Sequence, residues 1–180
     1  MSIKYFEVIK NDSQLAEKID YLCDFSLYKT LKKFDTRHCY SEEPYRVFAT
    51  DASGGTFGFI GPGSPARLSI GYCSSEGSAG RIATNVDDFF RLLVFYPFWR
   101  DLCKFSCIHD PKMVEFYENS FIEDMAELNF DYSKEQEYIA DVLQLTKRGD
   151  ILNKFHSVLK QEPKFIMHCS EDDTLCNNLI

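Results

Sequence analysis

Hydrophobic positions follow two different periods along the chain, and the switches between them mark its elements. From Ser13 to Phe34 the apolar residues Leu15, Ile19 and Leu22, then Leu27, Leu31 and Phe34, are spaced by three and four. They follow the capping candidates Asn11, Asp12 and Ser13, so this stretch predicts one helix or two short ones. At Tyr45 the period becomes two: YRVFA, TFGFI, RLSIGY with Leu68, Ile70 and Tyr72 on one face, and GRIAT predict four short consecutive strands.

A helical period returns at Asn85, whose side chain can cap NVDDFFRLLVFYPFW. Asp87 and Asp88 sit in its first turn, where the helix dipole favours acids, and Pro97 breaks it. Asp110 and Pro111 are a cap and first-turn pair for a helix with Val114, Tyr117, Phe121, Met125 and Leu128 on one stripe. Ser133 and Gln136 predict a capping box for KEQEYIADVLQLT, closed by Gly149, and Asp150 caps ILNKFHSVLKQ. Pro163 stops that helix ahead of KFIM, an extended terminal strand by its pattern, and the polar residues from Cys169 to Ile180 predict a frayed tail. Grouped strands flanked by helices predict the α+β class rather than an alternating parallel fold. At 180 residues one domain spanning 1–180 is expected.

The stretch ATDASGGTFGFIGPG, with five glycines, tests for a phosphate loop. A phosphate loop needs glycines leading directly into a helix N-terminus, often with a lysine. Here there is no GxGxxG or GxxxxGK[ST] pattern and no lysine, and the stretch runs into a period-two strand. Asp51 to Gly55 therefore reads as a hairpin turn, and Gly58 as a place where another group approaches the strand closely.

Cys103, Cys107 and His109 are near one another, and His168 adjoins Cys169, but CKFSCIH lacks a second pair of ligands at zinc spacing. There is no GxSxG elbow, and the adjacent acids Glu42 with Glu43 and Asp87 with Asp88 point in different directions. No catalytic residue, metal or cofactor is expected. Seven cysteines, odd in number and irregular in spacing, read as reduced thiols.

A net charge of -8 repels phosphate backbones and attracts cationic surfaces, so nucleic acid is not an expected partner. Lys4, Glu7, Lys10 and Asp12 interrupt any N-terminal apolar run, and no uncharged stretch nears the roughly 20 residues a bilayer span needs, so a cytoplasmic protein without a membrane partner is expected.

The run from Tyr45 to Leu93 carries Asp51, Gly54, Gly55, Ser75, Glu76, Gly77, Gly80, Asp88, Phe89 and Phe90 in an order that resembles the SMI1/KNR4 (SUKH) superfamily. The segment from Asp141 to Met167 is similar to the helical ending of many bacterial members. The resemblance implies an α+β fold with a mixed, mainly antiparallel sheet wrapped by helices and without a cofactor, and a protein that works by binding another protein. In bacteria such proteins are frequently immunity proteins that neutralise a toxin, often a nuclease; in fungi they are regulatory scaffolds. The expectation is a non-enzymatic module that neutralises a basic protein toxin, with a scaffold protein as the alternative and a thiol or zinc enzyme as a minor one. The candidate partner-binding residues are Tyr40, Glu42, Glu43, Tyr45, Asp51, Tyr72 and Glu76.

Overall fold

Two short helices lead into the sheet. A computed structural model describes residues 3–105 and 107–180. Helix α1 (Lys4–Asn11) buries Phe6 and Ile9, and α2 (Ser13–Cys23) buries Leu15, Ile19 and Leu22 behind an Asp12 cap that accepts from the Leu15 N–H. Asp24, in the left-handed region at φ 49°, ends α2, and the chain goes on as strand β1 (Ser26–Lys33). The helix expected across Ser13–Phe34 is thus a helix and a strand. The register of β1 against its neighbour shifts between Leu27 and Lys32, so its apolar side chains fall three and four apart instead of alternating, which imitates a helix in sequence.

After β2 (Cys39–Tyr40), the four strands expected from the period-two run are present as β3 (Tyr45–Thr50), β4 (Thr56–Ile60), β5 (Ser69–Cys73) and β6 (Ala79–Ala83). With β1 they form a five-stranded antiparallel sheet in the order β1-β3-β4-β5-β6. The fold is α+β, as expected.

One face of the sheet carries Phe48, Phe57, Phe59 and Ile70 into the main core, where Phe25, Phe89 and Phe90 meet them. Phe89 and Phe90 belong to α3 (Val86–Phe95), capped by Asn85, whose side chain accepts from the Asp88 N–H at 2.8 Å. Burying such rings contributes about 1.5–3 kcal/mol each, so this cluster dominates the fold. The other face carries Tyr45, Val47, Ile60 and Cys73 and is covered by Phe165 and Met167. Gly58 lies beneath the Tyr45 ring, where a Cβ would overlap ring carbons, which explains a glycine inside a strand.

Helices α4 (Trp99–Lys104), α5 (Pro111–Glu127), α6 (Tyr132–Leu143) and α7 (Ile151–Leu159) complete the fold. Asp110 caps α5 as expected, while its stripe ends early, since Leu128 is exposed. Two expected boundaries need correction. Asp131, not Ser133, caps α6 by accepting from the Lys134 N–H, and the Gln136 amide donates to Val94 O at 2.9 Å instead of closing a box. Gln144, left-handed at φ 56°, ends that helix, and Gly149 lies in an exposed turn beyond it.

The segment KFIM is not a strand; Phe165 and Met167 reach into the core, and the strand is the next pair, β7 (His168–Cys169), antiparallel to β2. The expected frayed tail is also corrected. Residues 169–180 turn back on β7, with the Cys176 N–H donating to Met167 O at 2.8 Å, and then run beside β6. There the Ala79 N–H donates to Asn177 O at 3.0 Å, and the Leu179 N–H donates to Ala79 O at 3.2 Å. The open N–H and C=O of Ala79 at the start of β6 are satisfied by the chain itself, which shortens the unpaired sheet edge. Among the described residues no helix is long and apolar enough to cross a membrane.

Candidate functional site

The glycine-rich turn after β3 is filled by a carboxylate of its own. Asp51 Oδ1 accepts from the Gly55 N–H at 2.7 Å, the Ser53 N–H at 3.1 Å and the Ser53 hydroxyl at 2.8 Å. Oδ2 accepts from the Tyr72 hydroxyl at 2.7 Å and from Arg100 at 3.0 Å. The N–H groups a phosphate would need are therefore already paired with an anion. Glycine is required at Gly55, because a Cβ there would lie 2.5 Å from both Asp51 Oδ2 and the Tyr72 hydroxyl. Burial opposes the charged form of Asp51, but the hydrogen bonds from Tyr72 and Ser53, the Arg100 charge and the Gly55 N–H outweigh it and hold the carboxyl below its usual range. Burial first, then the Asp51 contact, pushes Tyr72 up to about 12, so it stays a donor.

Burial removes three residues from the expected docking set. Asp51 and Tyr72 are buried in this network, and Tyr45 is buried beneath the sheet with its hydroxyl donating to Thr56 O at 2.7 Å and Gly71 O at 3.2 Å. All three are internal supports. Arg100 had no sequence signal, since its carboxylate partner is 49 residues away.

The remaining candidates lie at the surface. Glu76 is exposed in the turn joining β5 to β6, and Gly77 beside it, at φ 88°, abuts Cys176 of the returning tail. Glu42 and Glu43 line a cleft of about 480 Å³ between the β2–β3 connection and the C-terminal segment, with Glu162, Lys164, His168 and Leu175 opposite, and Tyr40 lies beside it. Tyr40 and His168 are cross-strand neighbours, stacked with ring centroids 5.1 Å apart and planes 17° apart. The Tyr40 hydroxyl donates to Asp173, a contact that raises its pKa.

His168 faces acids on both edges, with Nε2 3.9 Å from Glu42 Oε1 and Nδ1 3.6 Å from Asp173 Oδ1. Arg81, nearly buried, holds Glu43 at 2.7 Å and donates its other arm to Pro163 O, which ties the two walls of the cleft together. Glu42 is the most exposed acid of the group, with a side chain 82 % exposed. The cleft thus presents the His168 ring, stacked on Tyr40, beside the carboxylates of Glu42, Glu43 and Glu162 and the amine of Lys164, a surface in which acids outnumber bases and which suits cationic and planar side chains. The sequence marks His168 only as a neighbour of Cys169; its pairing with Tyr40 left no signal, because each strand of that pair is only two residues long.

The Cys103, Cys107, His109 constellation has no catalytic geometry. Burial pushes the Cys103 thiol up to about 12, the reverse of what an activated nucleophile needs. His109 Nε2 faces His156 Nδ1 at 2.6 Å instead of a cysteine. Among the described residues no group of three or more His, Cys, Asp or Glu is arranged to hold a metal ion. Compared with family models, curated proteins and solved structures, the chain matches none.

Proposed function

We propose that the protein is a non-enzymatic binding module, an immunity protein that neutralises a basic toxin of the nuclease type by direct contact. The observation that carries this reading is the cleft beside Tyr40, where Glu42 and Glu43 stand exposed or half-exposed next to a stacked Tyr40–His168 pair on a chain of net charge -8. A nuclease is basic where it grips phosphates, so an acidic binder is steered onto that surface and covers it. Rigid aromatic neighbours then supply contact area at low cost in side-chain entropy. The resemblance of Tyr45–Leu93 and Asp141–Met167 to the SMI1/KNR4 superfamily supports the same reading.

Co-expression with the protein encoded beside its gene tests the proposal. Protection of the host from that protein, together with a stoichiometric complex on gel filtration, is the expected result. A toxin that still kills and forms no complex with this chain would refute it.

A further inference from the structure

Strands β2 and β7 place two cysteines directly opposite one another, Cys39 against Cys169. The Ser170 N–H donates to His38 O at 3.0 Å, which places the ladder's hydrogen bonds on either side of the cysteine pair and makes it a non-hydrogen-bonded pair. Such pairs bring Cα atoms to about 4.5 Å and Cβ atoms closest together, within reach of the Cα separation of a disulfide, about 4.4–6.8 Å. Side chains alternate along a strand, so with Tyr40 and His168 stacked on one side the two thiols share the other, toward Cys73 and Cys176. Both cysteines are only partly buried.

We propose that Cys39 and Cys169 form a redox pair, oxidised by glutathione disulfide to a cross-strand disulfide that locks the C-terminal segment onto β2. One thiolate of the pair attacks glutathione disulfide, which forms a mixed disulfide and releases one glutathione. The second thiolate attacks the protein sulfur of that mixed disulfide and releases the other glutathione. The dithiol gives up two electrons and its two protons end on the two glutathione molecules.

Cys73 does not compete. Its thiol donates to Ser74 O at 3.5 Å, it is buried and out of reach of a tripeptide, and burial lifts it far above the ordinary range. Burial also raises Cys39, so exchange is slow at neutral pH and quickens as pH rises. The product would fix β7 beside β2 and with it the wall of the cleft formed by His168.

The full chain treated with glutathione disulfide provides the test, read by thiol titration after denaturation and by non-reducing peptide mapping. The expected result is loss of two of the seven thiols, a linked pair of peptides carrying Cys39 and Cys169, and amide exchange at Ser170 at least tenfold slower. Cys73→Ser should behave as the native chain and Cys39→Ser should lose the link. Retention of all thiols, glutathione adducts alone, a Cys39–Cys73 link, or unchanged exchange at Ser170 would overturn the proposal. The mapping uses the native chain, so it stands even where a serine variant fails to fold.

Discussion

The Tyr72 hydroxyl donates to Asp51 Oδ2 at 2.7 Å, and Arg100 closes on the same oxygen at 3.0 Å while its guanidinium lies over the rings of Tyr72 and Trp99. The bond joins the first hairpin turn to β5 and to α4, so one buried carboxylate holds three elements. Removing it leaves a buried hydroxyl without its acceptor and a partly buried cation with only the exposed Asp24, 3.6 Å away. Asp51→Ala is expected to lose about 3–5 kcal/mol of stability, and Tyr72→Phe about 1.5–3 kcal/mol. Urea denaturation measures both; a loss under about 1 kcal/mol for Asp51→Ala would contradict the role given to the turn.

Acid should destabilise the protein through the same group. Asp51 has a folded pKa below its unfolded value, so its contribution is complete above the unfolded carboxylate range, about 3.9, and is lost as pH falls through the folded value. Asp87 acts in the same direction: burial opposes its charge, but hydrogen bonds from Arg91 and Tyr5 outweigh it. The urea midpoint is expected to fall steeply below about pH 4, and Asp51→Asn, already less stable at neutral pH, should show a shallower acid decline. An equally steep decline in that variant would assign the effect to other carboxylates.

Two glycines should respond oppositely to alanine. At Gly58 the new methyl group would overlap the Tyr45 ring inside the sheet, with an expected loss of about 1–3 kcal/mol. At Gly149 nothing lies within 4 Å, and the substitution is expected to be neutral or to stabilise by about 0.4–1 kcal/mol. Thermal unfolding of the pair checks whether Gly58 is a packing requirement.

The C-terminal residues should be protected from exchange. The amides of Cys176 and Leu179 donate to Met167 O and Ala79 O, and a Cβ at Gly80 would lie 2.9 Å from the Leu179 side chain. Exchange at least tenfold slower than in an unstructured chain is expected at both amides. Exchange at the unstructured rate would restore the frayed tail.

The sheet from Tyr45 to Ala83 was legible because alternation and glycine turns coincide there: each apolar residue in TFGFI or SIGYC reports a face without reference to the rest of the chain. Strand β1 was not, because its register shift erases alternation and leaves Leu27, Leu31 and Phe34 at helical spacing. The site was legible in its acids and in Tyr40. Glu42 and Glu43 could be named from composition and position, but Asp51, Tyr45 and Tyr72 were misjudged because their burial depends on Arg100 and Phe165, which are distant in sequence. The partners Arg81, Glu162 and His168 come from segments that meet only after the C-terminal chain folds back.

The most direct test of docking through the cleft is the association rate with the protein encoded by the adjacent gene, measured for the native chain and for Glu42→Lys at rising salt. Glu42 is exposed and its one ion-pair contact, with His168, is 3.9 Å long, so its reversal should change stability by less than about 1 kcal/mol. The account predicts that association slows at least tenfold between about 50 and 300 mM salt, and that Glu42→Lys slows it further at low salt. Association insensitive to salt, or a Glu42→Lys chain that binds like the native one, would contradict it.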